Sequence, residues 1–506
     1  MKKLAEKYHA GQFRKGEERL PYIVHPQAVA ETLMRWGEKE NSSAVLTAWG
    51  HDLLEDTKVK ESEIISAANA EVLENIKLLT RPEGMKKSSY MQMVAESNAR
   101  DPLLVKLADR ICNSRDFIKL EGPLHAYRYL HEGDVIMQAL ELFTDETIVQ
   151  NALKEWRELD KSLSSAARRA AIRGCMLGGA VGDALGAPIE FGDLPSIIKQ
   201  YGKDGVQDYV EFSDGTGAIT DDTQMTLFTA EGILRANVRG IERGICAPAS
   251  VVYFAYQRWL TTQGETSAAN PEYINSGWLI GEKQLFSNRA PGRTCISALK
   301  KNSLRASNDS KGCGTVMRMA PVGLFWSPDD AYDKGCEFSA ITHGHPTGIT
   351  AGGAFAMLIS CLIQGKSLER SLEQVKRHLE KYRDAAETLA AIQKAETAED
   401  VSELGEGWVA EEALAIGIYC ALHNTQDFKA GVLQAINITG DSDSTGSIAG
   451  NILGVINGEK SIPEKWLRNL REYQIVSRIS DDLDTRFEEN SEGHVTRNWW
   501  NKYPGN

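Results

Sequence analysis

Histidines and carboxylates at helical spacing near the start of the chain favour metal-dependent hydrolysis. His51 and Asp52 are adjacent, and Glu55 and Asp56 follow them by four residues each. On one continuous helix this spacing would stack His51 over Glu55 and Asp52 over Asp56. Three carboxylates in such a patch repel one another unless a cation lies among them. Alone, the His–Asp pair is also compatible with a solvated acidic helix end that carries a core histidine.

Two further residues, His25 and Asp109, would complete a mixed set of nitrogen and oxygen donors. Imidazole together with carboxylate suits a transition ion such as Mn, Fe or Zn better than Ca. Such an ion lowers the pKa of a bound water, and Glu55 and Asp56 are candidates to position that water or to accept its proton.

Two acidic clusters farther along the chain form a second candidate metal site. Each cluster has a hydroxyl residue beside its carboxylates and precedes a run of helical character. Oxygen-only ligands favour Mg or Mn, and two clusters can hold two ions. An acidic pair before a helix is also a common N-cap, and the second cluster alone is also typical of a capping or Ca-binding turn. The clusters are Thr220, Asp221 and Asp222, and Asp441, Asp443 and Ser444, with Glu190 as a further candidate carboxylate.

A glycine-containing loop lies between these two clusters in the sequence. The run Ser-Lys-Gly-Cys-Gly-Thr at 310–315 offers backbone N–H groups that could cradle a phosphate. The run Thr-His-Gly-His-Pro at 342–346 follows it. Alone, a Gly-Cys-Gly loop is a weak signal, and His343 is more typical of a packed or capping histidine.

The elements that carry these residues are predicted to be helices in two domains. A chain of 506 residues is too long to fold around a single hydrophobic core of ordinary size. Residues 1–150 have apolar positions at helical spacing and little strand alternation. Residues 151–168, charged and then small and polar, are predicted to be a linker or connecting helix, and residues 169–506 a second, glycine-rich helical domain. The predicted fold class is therefore all-α.

A glycine stripe marks the start of the second domain. Gly174, Gly178, Gly182 and Gly186 recur every four residues and place a bare stripe on one helix face. Another backbone can come close there, so tightly packed Gly- and Ala-lined helices are the expected architecture. The same spacing is a dimer signal in lipid, but Asp183 and the short apolar run argue against a membrane helix.

Composition and charge exclude several classes of protein. The net charge of −13 and the pI of about 5.4 argue against a general nucleic-acid-binding surface, which would be basic, although not against a nucleotide substrate. The eight scattered cysteines, without a CxxC pair, indicate reduced thiols in a cytoplasmic protein. Neither a signal peptide nor a membrane span is expected. The C-terminal stretch is polar, and its aromatics at 499–500 are expected to be exposed.

The N-terminal residues resemble the HD-domain hydrolases of the RelA/SpoT class, which remove the 3′-pyrophosphate from (p)ppGpp. The matching runs are Gln-Phe-Arg-Lys at 12–15, Pro-Tyr-Ile-Val-His-Pro at 21–26, His-Asp-Leu-Leu-Glu-Asp-Thr at 51–57 and Lys-Leu-Ala-Asp-Arg-Ile-Cys-Asn at 106–113. The resemblance implies an HD-domain phosphohydrolase fold of the stand-alone, small-alarmone type, because no synthetase domain follows. The loop at 14–21 differs in length from that of the long bifunctional enzymes and faces the base in the family, so base preference stays open.

The resemblance also assigns roles in this first domain. One Mn or another divalent ion would be bound, with Glu55 and Asp56 in water activation. The implied metal ligands are His25, His51, Asp52 and Asp109, and the implied nucleotide contacts are Arg14, Lys15 and Asn113.

The C-terminal residues, from about 172 to about 458, resemble the ADP-ribosylglycohydrolase family, whose founding member removes ADP-ribose from dinitrogenase reductase. The matching runs are Gly-Ala-Ile-Thr-Asp-Asp-Thr-Gln-Met at 217–225, Gly-Thr-Val-Met-Arg-Met-Ala-Pro at 314–321, Trp-Val-Ala-Glu-Glu-Ala-Leu at 408–414 and Gly-Asp-Ser-Asp-Ser-Thr-Gly at 440–446. The resemblance implies an orthogonal helical fold and hydrolysis at the anomeric carbon of ADP-ribose.

The same resemblance assigns the second site. Both acidic clusters would bind a pair of Mg (or Mn) ions, and Glu190 would be the catalytic or metal-gating carboxylate. Many members carry Asn where this chain has Cys313, in a loop that touches the diphosphate and its ribose, so affinity or substrate choice is expected to differ. The implied ADP-ribose contacts are Ser310, Gly312, Cys313, Gly314 and His343.

The sequence therefore predicts a bifunctional cytoplasmic hydrolase that acts on an ADP-ribosylated protein or other acceptor and on a pyrophosphorylated nucleotide. Three alternatives remain. The first domain could act on an adenosine alarmone or a dinucleotide phosphate. One domain could be a silent nucleotide sensor, although no ligand position is lost in either set. The chain could instead be an immunity protein that blocks a toxin sterically.

Overall fold

The computed structural model describes residues 1–16, 19–213 and 215–505, which separate into two compact units. Unit 1 comprises residues 1–167 and unit 2 begins at residue 168. The predicted all-α fold is confirmed, because helices dominate both units. In the described residues the sheet structure is one antiparallel pair, β1 (Glu211–Phe212) and β2 (Gly215–Thr216). Residues 17 and 18 of the 14–21 loop lie outside the described residues.

Unit 1 is built around the long helix α8, whose apolar positions pack against two earlier helices. The core includes Val29 and Leu33 of α2, Val45 of α3, and Leu104 and Leu107 of α8. The helices are α1 (Lys2–Tyr8), α2 (Val24–Trp36), α3 (Ser43–Gly50), α4 (Leu53–Asp56), α5 (Glu61–Ala67), α6 (Ala70–Leu79), α7 (Lys87–Glu96), α8 (Arg100–Leu120), α9 (Pro123–His131), α10 (Asp134–Leu140) and a 3-10 turn (Glu141–Phe143).

The continuous helix expected through His51 and Asp52 is wrong. Helix α3 ends at Gly50, both residues lie in a turn, and α4 begins after them. Glycine is a poor helix former, and the His51 imidazole takes the Ala48 carbonyl as its own hydrogen-bond partner at 2.7 Å. The Asp56 N–H still donates to the Asp52 carbonyl at 2.9 Å, so this i, i+4 pair keeps its helical relationship.

Residues 151–168 are helical and belong to α11 (Thr147–Gly186), within which the boundary between the units falls. The first part of α11 buries Leu153, Trp156 and Leu163 in the core of unit 1. These residues recur at helical spacing among charged neighbours, which explains why the segment reads as charged although one face is apolar.

Unit 2 is formed by the rest of α11 and by helices that follow it. They are α12 (Leu194–Tyr201), α13 (Asp221–Arg243), α14 (Pro248–Thr262), α15 (Pro271–Ile274), α16 (Arg293–Lys300), α17 (Ala320–Phe325), α18 (Pro328–Ser339), α19 (Pro346–Ile363), α20 (Leu368–Leu379), α21 (Ala386–Thr397), α22 (Ala410–His423), α23 (Phe428–Ile436), α24 (Ser442–Asn457), α25 (Glu464–Asn469), α26 (Tyr473–Thr485) and α27 (Arg497–Lys502). Short 3-10 turns cover Ala187–Ile189, Leu279–Gly281, Lys283–Leu285, Cys313–Thr315, Arg383–Ala385, Val401–Leu404 and Glu459–Ser461.

One helix of unit 2, α19, is long and apolar enough to cross a membrane by length and composition alone. In the protein 83% of it is buried. A core helix of a folded domain meets the same criteria, and its neighbours α17, α18 and α22 account for this burial.

The predicted close approach at the glycine stripe is confirmed. A Cβ at Gly182 would lie 2.0 Å from the Gly446 carbonyl oxygen, and one at Gly178 would lie 2.3 Å from that of Gly450. The Gly174 and Gly186 positions are equally close to the backbone of α24. Residue numbers fall along α24 as they rise along α11, so the two helices cross antiparallel with backbone in contact.

The expected exposure of the C-terminal aromatics is wrong for Trp499, which is 3% exposed. The Trp499 ring packs at a tilt of 51° against the fully buried Tyr503, whose hydroxyl donates to Asp482. The Arg235 Nε of α13 donates to the Pro504 carbonyl at 2.9 Å. Residues 499–504 are thus anchored by ring packing and hydrogen bonds, which cannot be predicted from the polar composition of this segment.

We predict that Gly182→Ala destabilises the protein by at least about 3 kcal/mol, because a methyl group at backbone contact forces α11 and α24 apart. Gly240→Ala is the matched control, since a Cβ at this position of α13 meets nothing within 4 Å. The control is expected to stay within about 1 kcal/mol of wild type. Urea unfolding measures both variants, and equal effects would contradict the prediction.

Candidate active sites

In unit 1 the structure brings the predicted histidines and aspartates together. His25 Nε2 lies 3.2 Å from Asp109 Oδ1 and 3.8 Å from Asp52 Oδ2. His51 Nε2 lies 3.1 Å from Asp52 Oδ2 and 4.0 Å from Asp109 Oδ1. The possible ligand atoms of His25, His51 and Asp52 all lie within 4.8 Å of one another.

The orientation of His51 fits a bound cation. Its Nδ1 lies 2.7 Å from the Ala48 carbonyl oxygen and therefore carries a proton that it donates there. His51 Nε2 then carries a lone pair that points towards the Asp52 carboxylate. This nitrogen is buried and has no hydrogen-bond partner among the described residues. Two such electron-rich atoms repel each other unless a cation lies between them. The site thus fits a divalent ion held by imidazole and carboxylate.

Helix α8 fixes Asp109 through neighbours on its own face. Lys106 Nζ donates to Asp109 Oδ2 at 3.0 Å, and Asn113 Nδ2 donates to Asp109 Oδ1 at 2.6 Å. These residues are three and four positions from Asp109, as helix geometry requires. Burial acts to raise the pKa of Asp109, but Lys106 and His25 hold it well below its ordinary value. Asp109 is therefore a carboxylate, the form that binds a metal.

Tyr22 is a site residue that the sequence reasoning missed. Its hydroxyl contacts Asp52 Oδ2 at 2.7 Å and Asp56 Oδ2 at 3.0 Å, and so joins a candidate ligand to a candidate water-activating residue. Burial, Asp52 and Asp56 raise the pKa of Tyr22. Its place three residues before His25 in the Pro-Tyr-Ile-Val-His run was the signal.

The remaining unit 1 candidates lie at the exposed side of this cluster. Arg14 donates to the Asn113 side-chain oxygen at 2.7 Å, and so reaches Asp109 through one intermediate. Lys15 is exposed in the bend beside it. Glu55 is exposed and accepts the Arg81 N–H at 3.3 Å.

In unit 2 both acidic clusters lie at the N-terminal ends of helices. The Thr220 hydroxyl caps α13 by accepting the Asp222 N–H at 3.2 Å. Asp441 caps α24 by accepting the Ser444 N–H at 3.4 Å. The helix starts predicted from the sequence are thus confirmed. Asp443 also contacts the Thr220 hydroxyl, so the two helix ends meet.

Glu190, Asp441 and Asp443 converge, with possible ligand atoms within 4.8 Å of one another. At that separation two unit charges repel by roughly 3–4 kcal/mol at an effective dielectric of about 20. Burial, followed by Asp443 and Asp441, raises the pKa of Glu190 to about 10. Burial and Asp443 raise the pKa of Asp221 to about 8. The Gly292 N–H, which donates to Asp221 at 3.0 Å, acts in the opposite direction and lowers this pKa.

Orphaned oxygen atoms support cation binding at this cluster. Glu190 Oε2 and Asp222 Oδ2 are buried without a hydrogen-bond partner among the described residues. Buried carboxylates normally find hydrogen-bond donors, and cations substitute for them at metal sites. A donor set of carboxylate and hydroxyl oxygens fits hard divalent ions.

Asp183 is the site residue of unit 2 that the sequence reasoning missed. It is fully buried and accepts the Thr220 N–H at 3.0 Å, the Thr223 N–H at 3.1 Å and the Thr223 hydroxyl at 2.5 Å. Burial and Asp443 raise the pKa of Asp183 to about 7. A charged residue inside the glycine stripe, one position after Gly182, was the available signal.

The loop at 310–315 packs against His343. A Cβ at Gly314 would lie 3.1 Å from His343 Cε1, which is a tight contact, whereas one at Gly312 would lie 3.4 Å from His343 Nε2, an ordinary van der Waals distance. Burial and Arg318 lower the pKa of His343 to about 3, which keeps the imidazole neutral. The Cys313 N–H donates to the Trp408 carbonyl at 3.1 Å and is therefore not free for a phosphate. The Cys313 thiol contacts Asp441.

Comparison with known proteins gives a match for unit 2. The family model described as ADP-ribosylglycohydrolase matches residues 164–493. The ADP-ribosyl-(dinitrogen reductase) glycohydrolase of Rhodospirillum rubrum is 26% identical over 314 residues, which cover 59% of this chain and 89% of that protein. The ADP-ribosylarginine hydrolase Tri1 of Serratia proteamaculans is 24% identical over 348 residues, which cover 66% of this chain and 84% of that protein.

A further relative covers only a small part of the chain. The guanosine-3′,5′-bis(diphosphate) 3′-pyrophosphohydrolase of Haemophilus influenzae is 34% identical over 121 residues. These residues are 22% of this chain and 17% of that protein.

We predict that metal removal destabilises the protein more at pH 8.5 than at pH 5.5. The folded-state pKa values of Asp183 (about 7), Asp221 (about 8) and Glu190 (about 10) lie above their ordinary values of 3.8, 3.8 and 4.5. Their contribution to the stability of the metal-free protein is therefore full below about pH 4 and is lost as the pH rises through the folded-state values. A divalent ion offsets that loss.

Thermal unfolding with Mg and with EDTA measures this effect, and the EDTA-induced fall in Tm at pH 8.5 is expected to exceed that at pH 5.5 by about 5 °C. Asp443→Asn is the control, because it removes one charge from this cluster and leaves unit 1 unchanged. In this variant the EDTA-induced fall in Tm should differ less between pH 8.5 and pH 5.5 than in the wild type. An EDTA effect independent of pH in the wild type would contradict the prediction.

Proposed function

This chain belongs to the ADP-ribosylglycohydrolase family, and from that premise we propose that unit 2 hydrolyses the glycosidic bond between ADP-ribose and an acceptor group on a modified protein. The observation that carries the proposal is the convergence of Glu190, Asp441 and Asp443 beside the start of α13. Membership of this family supports a metal-dependent hydrolase activity. The carboxylate oxygens of this chain suit the binding of hard divalent ions.

The proposed metal ligands are the hydroxyls and carboxylates of the two helix ends, and two Mg or Mn ions are the proposed cofactors. Bound there, the ions would orient the ribose hydroxyls and a water. The buried carboxylates would stabilise the positive charge that develops on the sugar at bond cleavage. Glu190, whose Oε2 is orphaned, is the proposed proton acceptor from the water. The proposed ligands are Thr220, Asp221, Asp222, Asp441, Asp443 and Ser444.

The proposed ADP-ribose contacts are Ser310, Gly312, Cys313, Gly314 and His343. We propose an ADP-ribosylated arginine as the acceptor to test first, because one relative is named as an ADP-ribosylarginine hydrolase. Three backbone donors of this loop already have partners in the protein: the Cys313 N–H donates to the Trp408 carbonyl, the Ser310 N–H donates to Asn308 Oδ1 at 3.1 Å, and the Gly312 N–H donates to Ser310 Oγ at 3.4 Å.

For unit 1 we propose hydrolysis of the 3′-pyrophosphate of (p)ppGpp. The proposal is supported by the cluster of His25, His51, Asp52 and Asp109, and by the 121-residue similarity to a pyrophosphohydrolase. One Mn or another divalent ion would lower the pKa of a bound water, with Asp56 and Glu55 as proton acceptors. Arg14, Lys15 and Asn113 are the proposed nucleotide contacts.

A bifunctional, cytoplasmic enzyme that reverses nucleotide-based stress or toxin marks is the proposed biological context. The eight free cysteines agree with a reducing compartment. The alternatives for unit 1 are another nucleotide substrate and a catalytically silent sensor.

We predict that the full-length protein releases free ADP-ribose from an ADP-ribosyl-arginine protein when Mg and Mn are supplied. Asp443→Ala should lower the rate by about 100-fold or more, because the metal cluster loses a ligand. Asp52→Ala is the control in unit 1 and should change the rate by less than about twofold. Chromatography of the released ADP-ribose measures all three. Full activity in Asp443→Ala would contradict the proposed site.

We predict that the same protein with Mn releases pyrophosphate from (p)ppGpp, and that Asp52→Asn reduces this release by about 100-fold or more because it replaces a charged ligand with a neutral amide. Asp443→Ala now serves as the control. An adenosine alarmone and a dinucleotide phosphate belong in the same assay. Binding of (p)ppGpp without hydrolysis of any of the three nucleotides would favour the silent sensor.

A further inference from the structure

The loop at 310–315 is held by a lysine that bridges two helices. Lys311 Nζ lies 3.1 Å from Glu387 Oε2 and also donates to Glu411 Oε1. Glu387 is in the first turn of α21, and Glu411 is in the first turn of α22. One ammonium group therefore ties the loop to two separate helix ends.

Other contacts show that this bridge belongs to a larger clamp. The Thr347 hydroxyl, in the first turn of α19, donates to Glu387 Oε2 at 2.7 Å. The Lys311 carbonyl accepts the Ala410 N–H at 2.8 Å, and Gly312 bridges to Val409. The backbone at Lys311 is thus fixed on the same side as its ammonium group.

The clamp holds the residue that directly precedes the part of the loop in contact with His343. Gly312 and Gly314 approach the imidazole closely, so a small displacement of the loop changes the surface on which a diphosphate would rest. Glu411 is only 12% exposed, and its Oε2 has no hydrogen-bond partner among the described residues. Loss of Lys311 would leave this carboxylate nearly buried and unpaired, which favours rearrangement of the loop.

We propose that Lys311, through Glu411 and Glu387, is a positioning residue that holds the 310–315 loop in the shape that binds the diphosphate of ADP-ribose. This inference rests on the function proposed for unit 2. Lys311 acts on substrate affinity and not on the bond-breaking step, because its ammonium group is engaged by the two glutamates and not by the metal cluster.

The test compares Lys311→Gln, Lys311→Arg and Glu411→Gln in the full-length protein. Lys311→Gln is expected to raise KM about tenfold, the effect of one charge-assisted hydrogen bond, with kcat and the Mg requirement within about twofold of wild type. Lys311→Arg should restore most of the affinity, since it keeps the charge. Glu411→Gln should raise KM as well, and the Lys311→Gln/Glu411→Gln double variant should be no worse than Lys311→Gln alone.

Lys376→Gln is the matched control, because Lys376 also joins two helices of this unit through an ion pair, with Glu396, but does not touch the loop. Its KM should not change. A direct contact between Lys311 and the diphosphate would have a different signature. Glu411→Gln would then free the ammonium group and lower KM or leave it unchanged, and this result would overturn the proposal.

Calorimetric binding of free ADP-ribose separates failure of the clamp from failure of the proposed function, because it needs no turnover. Wild-type binding that is weakened about tenfold in Lys311→Gln supports the clamp. Equal binding by wild type and Lys311→Gln overturns the clamp alone. A wild type that neither binds nor releases ADP-ribose overturns both. Glu411→Gln keeps the proposal testable if Lys311→Gln does not fold.

Discussion

The backbone contact between α11 and α24 is the constraint on which the site in unit 2 depends. Each glycine that removes a side chain from this contact lets one carbonyl approach the other helix, and Gly182 and Gly186 do so next to the acidic cluster. Asp183 lies in the last turns of α11 and Glu190 follows shortly after its end, whereas Asp441 caps α24 and Asp443 lies in its first turn. Close packing therefore sets how near these carboxylates come, and charge alone would drive them apart.

The two candidate sites differ in what surrounds their clustered carboxylates. In unit 1 an ammonium group lies beside the aspartates, because Lys106 donates to Asp109 and holds the pKa of that carboxyl well below its ordinary value. In unit 2 no such cation lies among the described ligands of the cluster, and burial raises the pKa values of Glu190 and Asp221. A mixed donor set suits a transition ion, while oxygen donors that repel one another suit a hard divalent pair. The difference in ligand chemistry thus argues for different ions in the two units.

Much of this could be predicted from the sequence, because periodic patterns and cap residues act locally. Thr220 and Asp441 were found as helix starts, and the glycine stripe was found as a contact face. Tyr22 and Asp183 were missed, because their roles come from partners at distant positions in the chain and not from a local pattern. The break after Gly50 was missed because the His51 imidazole competes for the Ala48 carbonyl, a choice that side-chain spacing does not reveal.

Capping and metal binding are alternative interpretations of the acidic clusters, and the cap geometry is compatible with both, because a residue that caps a helix can still face other carboxylates. The Thr220 hydroxyl accepts the Asp222 N–H and also contacts Asp443, while Asp441 caps α24 as it faces Glu190. The positive end of each helix dipole lowers the cost of the negative charge gathered there. Capping therefore orients the proposed ligands, and the helix dipoles offset part of the repulsion among their carboxylates. The same residues that begin the helices thus also preorganise the site.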